Sequence, residues 1–360
     1  MCRERETKGD LMETQQALPT LRPLRLGELL DQAIRLYRRN FVTFVGIIAL
    51  VYVPLMVLQT ASTTLLSSSL GSITSSRSPE EIFSNYAYWG GMLSTLVIAF
   101  LRFIFVQGIA TGALTRAVAD NYLGNTTSIM DAYRGIGKSW PSLIGALLLV
   151  GLLGIVILIW TLIPCVGWFT GLGMLAFLTA AVSPMVAPVI VLEGQGAINS
   201  IQRAWSLVRR RFWPVLGYII VLYLFNLLIV NGPIAIVNVI LTRMLPQGLD
   251  NFTLRLVVTA IIQAVVSIVF ILIYYPLQMT AFTLIYLDLR VRTEGFDLAL
   301  LTTNDASQAL AAPAEQSQER LITGTDLGNF AILTLAAVGV YIFLFAFLFG
   351  GIFFLSSLLH

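Results

Sequence analysis

The chain has 360 residues, 57% of them hydrophobic and only 11% charged. Soluble globular domains carry about 25% charged residues, so the composition points away from a soluble fold and towards a multi-pass membrane protein. A net charge of +3 is too mild for nucleic-acid binding. The only histidine is His360, so neither a His-ligated metal site nor a Ser–His or Cys–His catalytic pair is expected.

Residues 1–21 are polar and of mixed charge, with no apolar run ahead of a small-residue cleavage site. They read as a disordered cytoplasmic tail and not as a signal peptide. Apolar stretches of helical length then follow at about 41–60, 88–114, 141–163, 167–192, 212–231, 253–287 and 328–357, which predicts seven transmembrane helices. The Ser/Thr-rich stretch 61–86, Ile163-Pro164-Cys165-Val166-Gly167 and Asn231-Gly232-Pro233 separate them, and 234–252 reads as a short amphipathic excursion. Residues 301–327, rich in Ala, Gln and Ser, form a cytoplasmic linker before the last helix, at 328–360.

With the N-terminus inside, segments 1–40, 115–140, 193–211 and 288–327 hold 18 of the 22 lysines and arginines, while the outer loops hold Arg77 and Arg243. The positive-inside rule therefore fixes this orientation. It also puts Cys2 and Cys165 on opposite sides of the membrane, so no disulfide is expected.

The residues before the first, third and fifth spans repeat. When Phe41, Trp140 and Phe212 are aligned, Gly46, Gly145 and Gly217 fall five residues later and Ala33, Ala132 and Ala204 eight residues earlier. Positions eleven, seven and four before the aromatic are Leu30/Ile129/Ile201, Ile34/Tyr133/Trp205 and Tyr37/Ile136/Val208, one apolar helix face. The opposite face carries Arg35, Arg38 and Arg39, then Arg134 and Lys138, then Arg203, Arg209, Arg210 and Arg211. The expected architecture is thus an all-α polytopic membrane bundle over 22–300. It has three repeated units (about 25–127, 128–193 and 197–297), each an interfacial amphipathic helix plus two transmembrane helices, with an extra C-terminal transmembrane helix.

Two sets of residues are candidates for contact with lipid or another anion. Arg38, Arg39, Lys138, Arg209, Arg210 and Arg211 suit anionic headgroups at the cytoplasmic face, although the positive-inside rule alone produces the same pattern. Arg102 lies midway along the second span, where a charge costs several kcal/mol or more. No Asp or Glu falls clearly inside a span to neutralise it, which leaves backbone carbonyls, Gln107, Asn226, Gln263, Gln278 or an anionic headgroup as partners. Asp120, Glu193 and Asp288 fall at the inner ends of returning spans and are expected to pair with nearby arginines. Pro184, Pro188 and Pro276 interrupt spans four and six, with Ser183, Gln278 and Thr280 close enough to satisfy freed carbonyls.

No Walker A loop, dinucleotide-type glycine turn, CxxC or HExxH occurs, so no cofactor and no enzymatic activity are expected. The stretch Arg22–Phe41, the stretch Ala187–Gly194 followed by Ile201–Trp213, and Tyr286–Asp297 together resemble bacterial proteins of the glycerophosphoryl diester phosphodiesterase membrane-domain type. That resemblance implies a six-helix module in a bacterial cytoplasmic membrane, without the phosphodiesterase barrel and its activity. The expected function is a non-catalytic membrane protein that scaffolds a partner or organises anionic lipid at the cytoplasmic face. The alternative is a transporter or permease for a lipid-like or small amphiphilic substrate. The expected partners are membrane lipids and a membrane or cytoplasmic protein, the latter docking on the linker and last helix; nucleic acid is not among them.

Overall fold

The structure, a computed structural model, describes residues 23–74, 86–244, 252–296, 323–339 and 342, and every regular element among them is helical. Six helical stretches are long and apolar enough to cross a membrane: Phe41–Ser67, Tyr88–Tyr122, Gly137–Trp160, Val166–Glu193, Phe212–Leu241 and Val257–Glu294. They match the first six expected spans. The seventh falls within the described residues only at 328–339 and 342, while the tail 1–21 and the linker up to 322 lie outside them.

Each odd-numbered span follows an amphipathic segment. Helix α1 (Leu26–Arg39) buries Leu29, Ala33 and Tyr37, four residues apart, and exposes Arg35, Arg38 and Arg39. It ends at Asn40, whose φ of -117° and ψ of 27° leave the helical region, and α2 (Phe41–Thr74) starts at the next residue. Arg211, at φ -129° and ψ 42°, makes the same break between α9 (Ala197–Arg210) and α10 (Phe212–Asn226). The middle segment is shorter. Helix α5 (Ile129–Gly135), capped by the Ser128 hydroxyl, passes through a 3-10 turn into α6 (Trp140–Trp160).

Two expected boundaries are displaced. Helix α2 continues past residue 60 to Thr74, because Thr60, Thr63, Thr64 and Ser67 turn their hydroxyls back onto carbonyls four residues earlier. Such hydroxyls are satisfied inside a helix at membrane depth, so a Ser/Thr-rich stretch need not end it. Nor does Asn231-Gly232-Pro233 end span five. A π-helical turn, π3 (Leu227–Asn231), re-registers the backbone there, and α11 (Gly232–Met244) carries on with Pro233 in its first turn, where a missing N–H is tolerated.

The first two returning spans are also broken. Span two is α3 (Tyr86–Arg102), the π turn π1 (Phe103–Ala110) and α4 (Thr111–Tyr122). Span four is α7 (Val166–Ala176), π2 (Phe177–Val182) and α8 (Ser183–Glu193). Span six, α12 (Phe252–Glu294), contains Pro276. Their C-terminal halves, α4, α8 and α12 beyond Pro276, pack on one another and form the most buried part of the molecule, with Met185–Leu192 and Gln278–Val291 buried without interruption. Helices α1, α5 and α9 pack around this trio. On the outward spans, side chains such as Leu148, Leu152, Ile220 and Leu224 are exposed, as helices facing lipid require.

The helix over 324–339, α13, docks on span four and α9. Phe330 is 1% exposed and packs among Phe177, Trp205 and Phe212. Thr334 accepts the Gly173 N–H at 2.8 Å, and Asp326 pairs with Arg209 at 3.3 Å. One face of the described part of the segment expected to dock another protein thus packs on this chain, while Leu327, Ile332 and Leu335 on the rest of it are exposed.

Candidate functional site: two chambers at the helix breaks

Helix breaks free backbone groups and open space between neighbours, and the π turns of spans two, four and five lie near the Pro276 region of span six. Thr111, just after π1, donates to the Val106 carbonyl at 2.9 Å, and Thr280 donates to the Pro276 carbonyl at 2.8 Å. Between the breaks lie two adjoining cavities. The first, of about 500 Å³, takes its polar lining from Gln107, Thr111, Thr179, Ser183, Asn226 and Gln278. The second, of about 510 Å³, is lined by Tyr52, Arg102, Asn231 and Tyr274 among others. Phe103, Gln107, Asn226 and Tyr275 belong to both and form the wall between them. The Tyr275 hydroxyl holds that wall, 3.0 Å from the Thr111 hydroxyl and donating to Gln107 Oε1 at 3.1 Å.

Among the described residues, Arg102 is the only charged one in either lining. Its sole partner among the described residues is the weakly accepting Met56 sulfur, 3.9 Å from Nη1. No carboxylate among the described residues reaches it. Of the partners expected from sequence, Gln107 and Asn226 line the Arg102 chamber, Gln278 lines the other, and Gln263 lines neither; it bonds to Asn238 at 2.6 Å. The Asn226 carboxamide oxygen accepts from Asn231 at 2.8 Å, which leaves its NH2 uncommitted. A cation, amide donors and phenol hydroxyls without an opposing carboxylate make a lining suited to an anion or a group rich in acceptors.

Around the buried α4, α8 and α12 halves, the three acidic residues pair as expected. Asp120 bonds to Arg116 at 3.1 Å, and Asp288 bonds to Arg292 at 2.7 Å and to the Leu24 N–H at 2.9 Å. Glu193 takes part in a wider network. It lies 3.2 Å from Arg203 and 3.7 Å from Arg290, and accepts from the Tyr286 hydroxyl at 2.5 Å. Glu294 faces the same two arginines, at 2.5 and 3.2 Å. Arg203 on α9 thus ties α8 to α12. Burial opposes its charge, but Glu193 and Glu294 outweigh burial and raise its pKa above the usual guanidinium value. The two carboxylates converge, yet each is occupied by guanidinium groups, an arrangement suited to joining helices.

The basic rows divide. Arg38, Arg39, Lys138, Arg210 and Arg211 are exposed. Arg209 instead turns its guanidinium to Asp326, in a pair 13% and 7% exposed. It was expected at the lipid headgroups; α13, whose position a sequence does not reveal, covers it. The sequence also gave no sign of the π turns, nor of Tyr52, Asn231 and Tyr275 as lining groups. Aromatic and amide residues on apolar spans carry no periodicity of their own.

A family described as a domain of unknown function (DUF7847) matches residues 24–289, well over half of the chain. No curated protein and no solved structure matches.

Proposed function

The chain belongs to the family of the domain of unknown function DUF7847, and from that premise we propose that it is a non-catalytic membrane module that binds and organises an anionic lipid. The observation that carries this is Arg102, a cation in a chamber of about 510 Å³ within the spans, with no carboxylate beside it among the described residues. An unneutralised charge at that depth is costly, and an anionic headgroup would remove the cost. The apolar walls, among them Phe103, Val106 and Ile271, would take the adjoining acyl chain.

The wider reading keeps the N-terminus and the exposed arginines on the cytoplasmic side of a bacterial membrane. It treats the chain as three units of one amphipathic helix and two spans. Supporting the repeat, Ala33, Ala132 and Ala204 are all buried, as are Tyr37, Ile136 and Val208, and then Phe44, Leu143 and Val215. The breaks at Asn40 and Arg211 fall one residue before the aligned aromatic in each case. The resemblance to the phosphodiesterase membrane module would extend the six spans and carries no diesterase activity with it.

Transport of a lipid-like substrate is the second reading. It is favoured by the π breaks of three spans, with Pro276 of a fourth, lying at the chambers, since interrupted helices line many carrier sites. The two readings part on flux. Proteoliposomes should retain lipid at the protein without moving it between leaflets if the binding reading is right. Leaflet exchange that depends on Arg102 would replace it with transport.

A further inference from the structure

The chamber beside the Arg102 site holds chemistry that an anion does not use. Gln278 lines it, is only 8% exposed, and its carboxamide has no hydrogen-bond partner among the described residues. The amide opens onto the chamber and presents two donors and an acceptor there. The Ser183 hydroxyl on the facing helix also lacks a partner among the described residues. Gln107 keeps its NH2 free, its oxygen being taken by Tyr275. Thr179 donates to the Leu175 carbonyl, so its oxygen can still accept. Among the described residues, no Asp, Glu, Lys or Arg lines this chamber.

The free groups therefore include both donors and acceptors in an uncharged setting. A phosphate or carboxylate would use the donors alone and would be better held by Arg102 in the next chamber. A hydroxyl donates and accepts at one atom, so a compact group bearing several hydroxyls matches this lining. We infer that the Gln278 chamber is a subsite for the uncharged, hydroxyl-bearing part of a headgroup whose anionic part lies at Arg102. This rests on the lipid-binding reading and narrows it to anionic lipids with polyol headgroups. Gln107, Asn226 and Tyr275, common to both chambers, would bracket the junction between the two parts.

The test titrates the full chain in detergent micelles with phosphatidylglycerol and with phosphatidylpropanol, followed by native mass spectrometry. The two lipids carry the same phosphodiester charge, and only the first bears headgroup hydroxyls. The wild-type protein should bind phosphatidylglycerol roughly three- to tenfold more tightly, the worth of one or two hydrogen bonds. Gln278→Leu should abolish that preference while keeping the phosphatidylpropanol affinity, and Ser183→Ala, a milder change, should reduce it in part. Equal binding of the two lipids by the wild type, or a preference that survives in both variants, would overturn the subsite. Arg102→Ala separates the two claims. Weaker binding of both lipids leaves the Arg102 reading standing whatever Gln278 does, and unchanged binding overturns that reading itself.

Discussion

Gly173 has its missing side chain replaced by Phe330: a Cβ built on Gly173 would lie 2.1 Å from the Phe330 carbonyl oxygen and 2.8 Å from the Thr334 hydroxyl. Helix α13 can approach span four only because residue 173 has no side chain, the role small residues play between membrane helices. Gly173→Leu should therefore displace α13 and cost about 1–3 kcal/mol of stability through overpacking. Faster proteolysis around residue 323 and a lower melting temperature would report it. An unchanged cleavage rate would mean that α13 is held by something other than this approach.

Phe330 is the apolar half of the same dock. Truncating it to alanine empties a site walled by Phe177, Trp205 and Phe212, and such truncations cost about 3–5 kcal/mol. Arg209→Ala, in a pair 13% and 7% exposed, leaves the Asp326 carboxylate buried without its guanidinium and should also cost about 3–5 kcal/mol. Both variants should melt well below the wild type, and an unchanged melt of Arg209→Ala would show that the pair does not hold the helix down.

The Glu193 network should behave as a unit. Glu193→Ala takes one carboxylate from Arg290, 3% exposed, and strips Arg203 and Tyr286 of an acceptor. Breaking one side of such a buried cluster costs about 3–5 kcal/mol. Arg203→Ala should cost less when added to Glu193→Ala than when made alone, because the two groups share one interaction. Strictly additive melting shifts would show that the residues act independently.

The exposed rows and Arg102 should separate in their lipid dependence. Arg38, Arg39, Lys138 and Arg211 are solvent-facing, and each basic residue near an anionic surface contributes about 1 kcal/mol. Replacing all four by Gln should lower the anionic share of loosely associated lipid and make it insensitive to salt. The lipid retained after extensive delipidation should not change. Loss of that retained lipid in the fourfold variant would move the binding site from the chamber to the rows.

Much of the scaffold was legible in the sequence because its signals are local. Apolar runs of span length, the amphipathic faces of α1 and α9, and the acid–base pairs of Asp120 and Asp288 with neighbours four residues away all follow from spacing along one helix. What stayed hidden depends on contacts between distant segments. The Ser/Thr-rich end of α2 read as a loop because its hydroxyl-to-carbonyl bonds leave no mark on composition. The docking of Asp326 on Arg209 joins residues 117 positions apart. Arg102 was legible as an unusual residue, but its surroundings were not, since Tyr52, Asn231 and Tyr275 come from three other spans.

The most direct test of the central claim is the lipid retained by protein extracted gently from its native membrane and then delipidated, for the wild type, Arg102→Ala and Arg102→Lys. The account predicts about one tightly held anionic lipid per wild-type chain, lost in Arg102→Ala and partly kept in Arg102→Lys, with all three proteins melting within a few degrees of one another. Equal retention by the wild type and Arg102→Ala would contradict it.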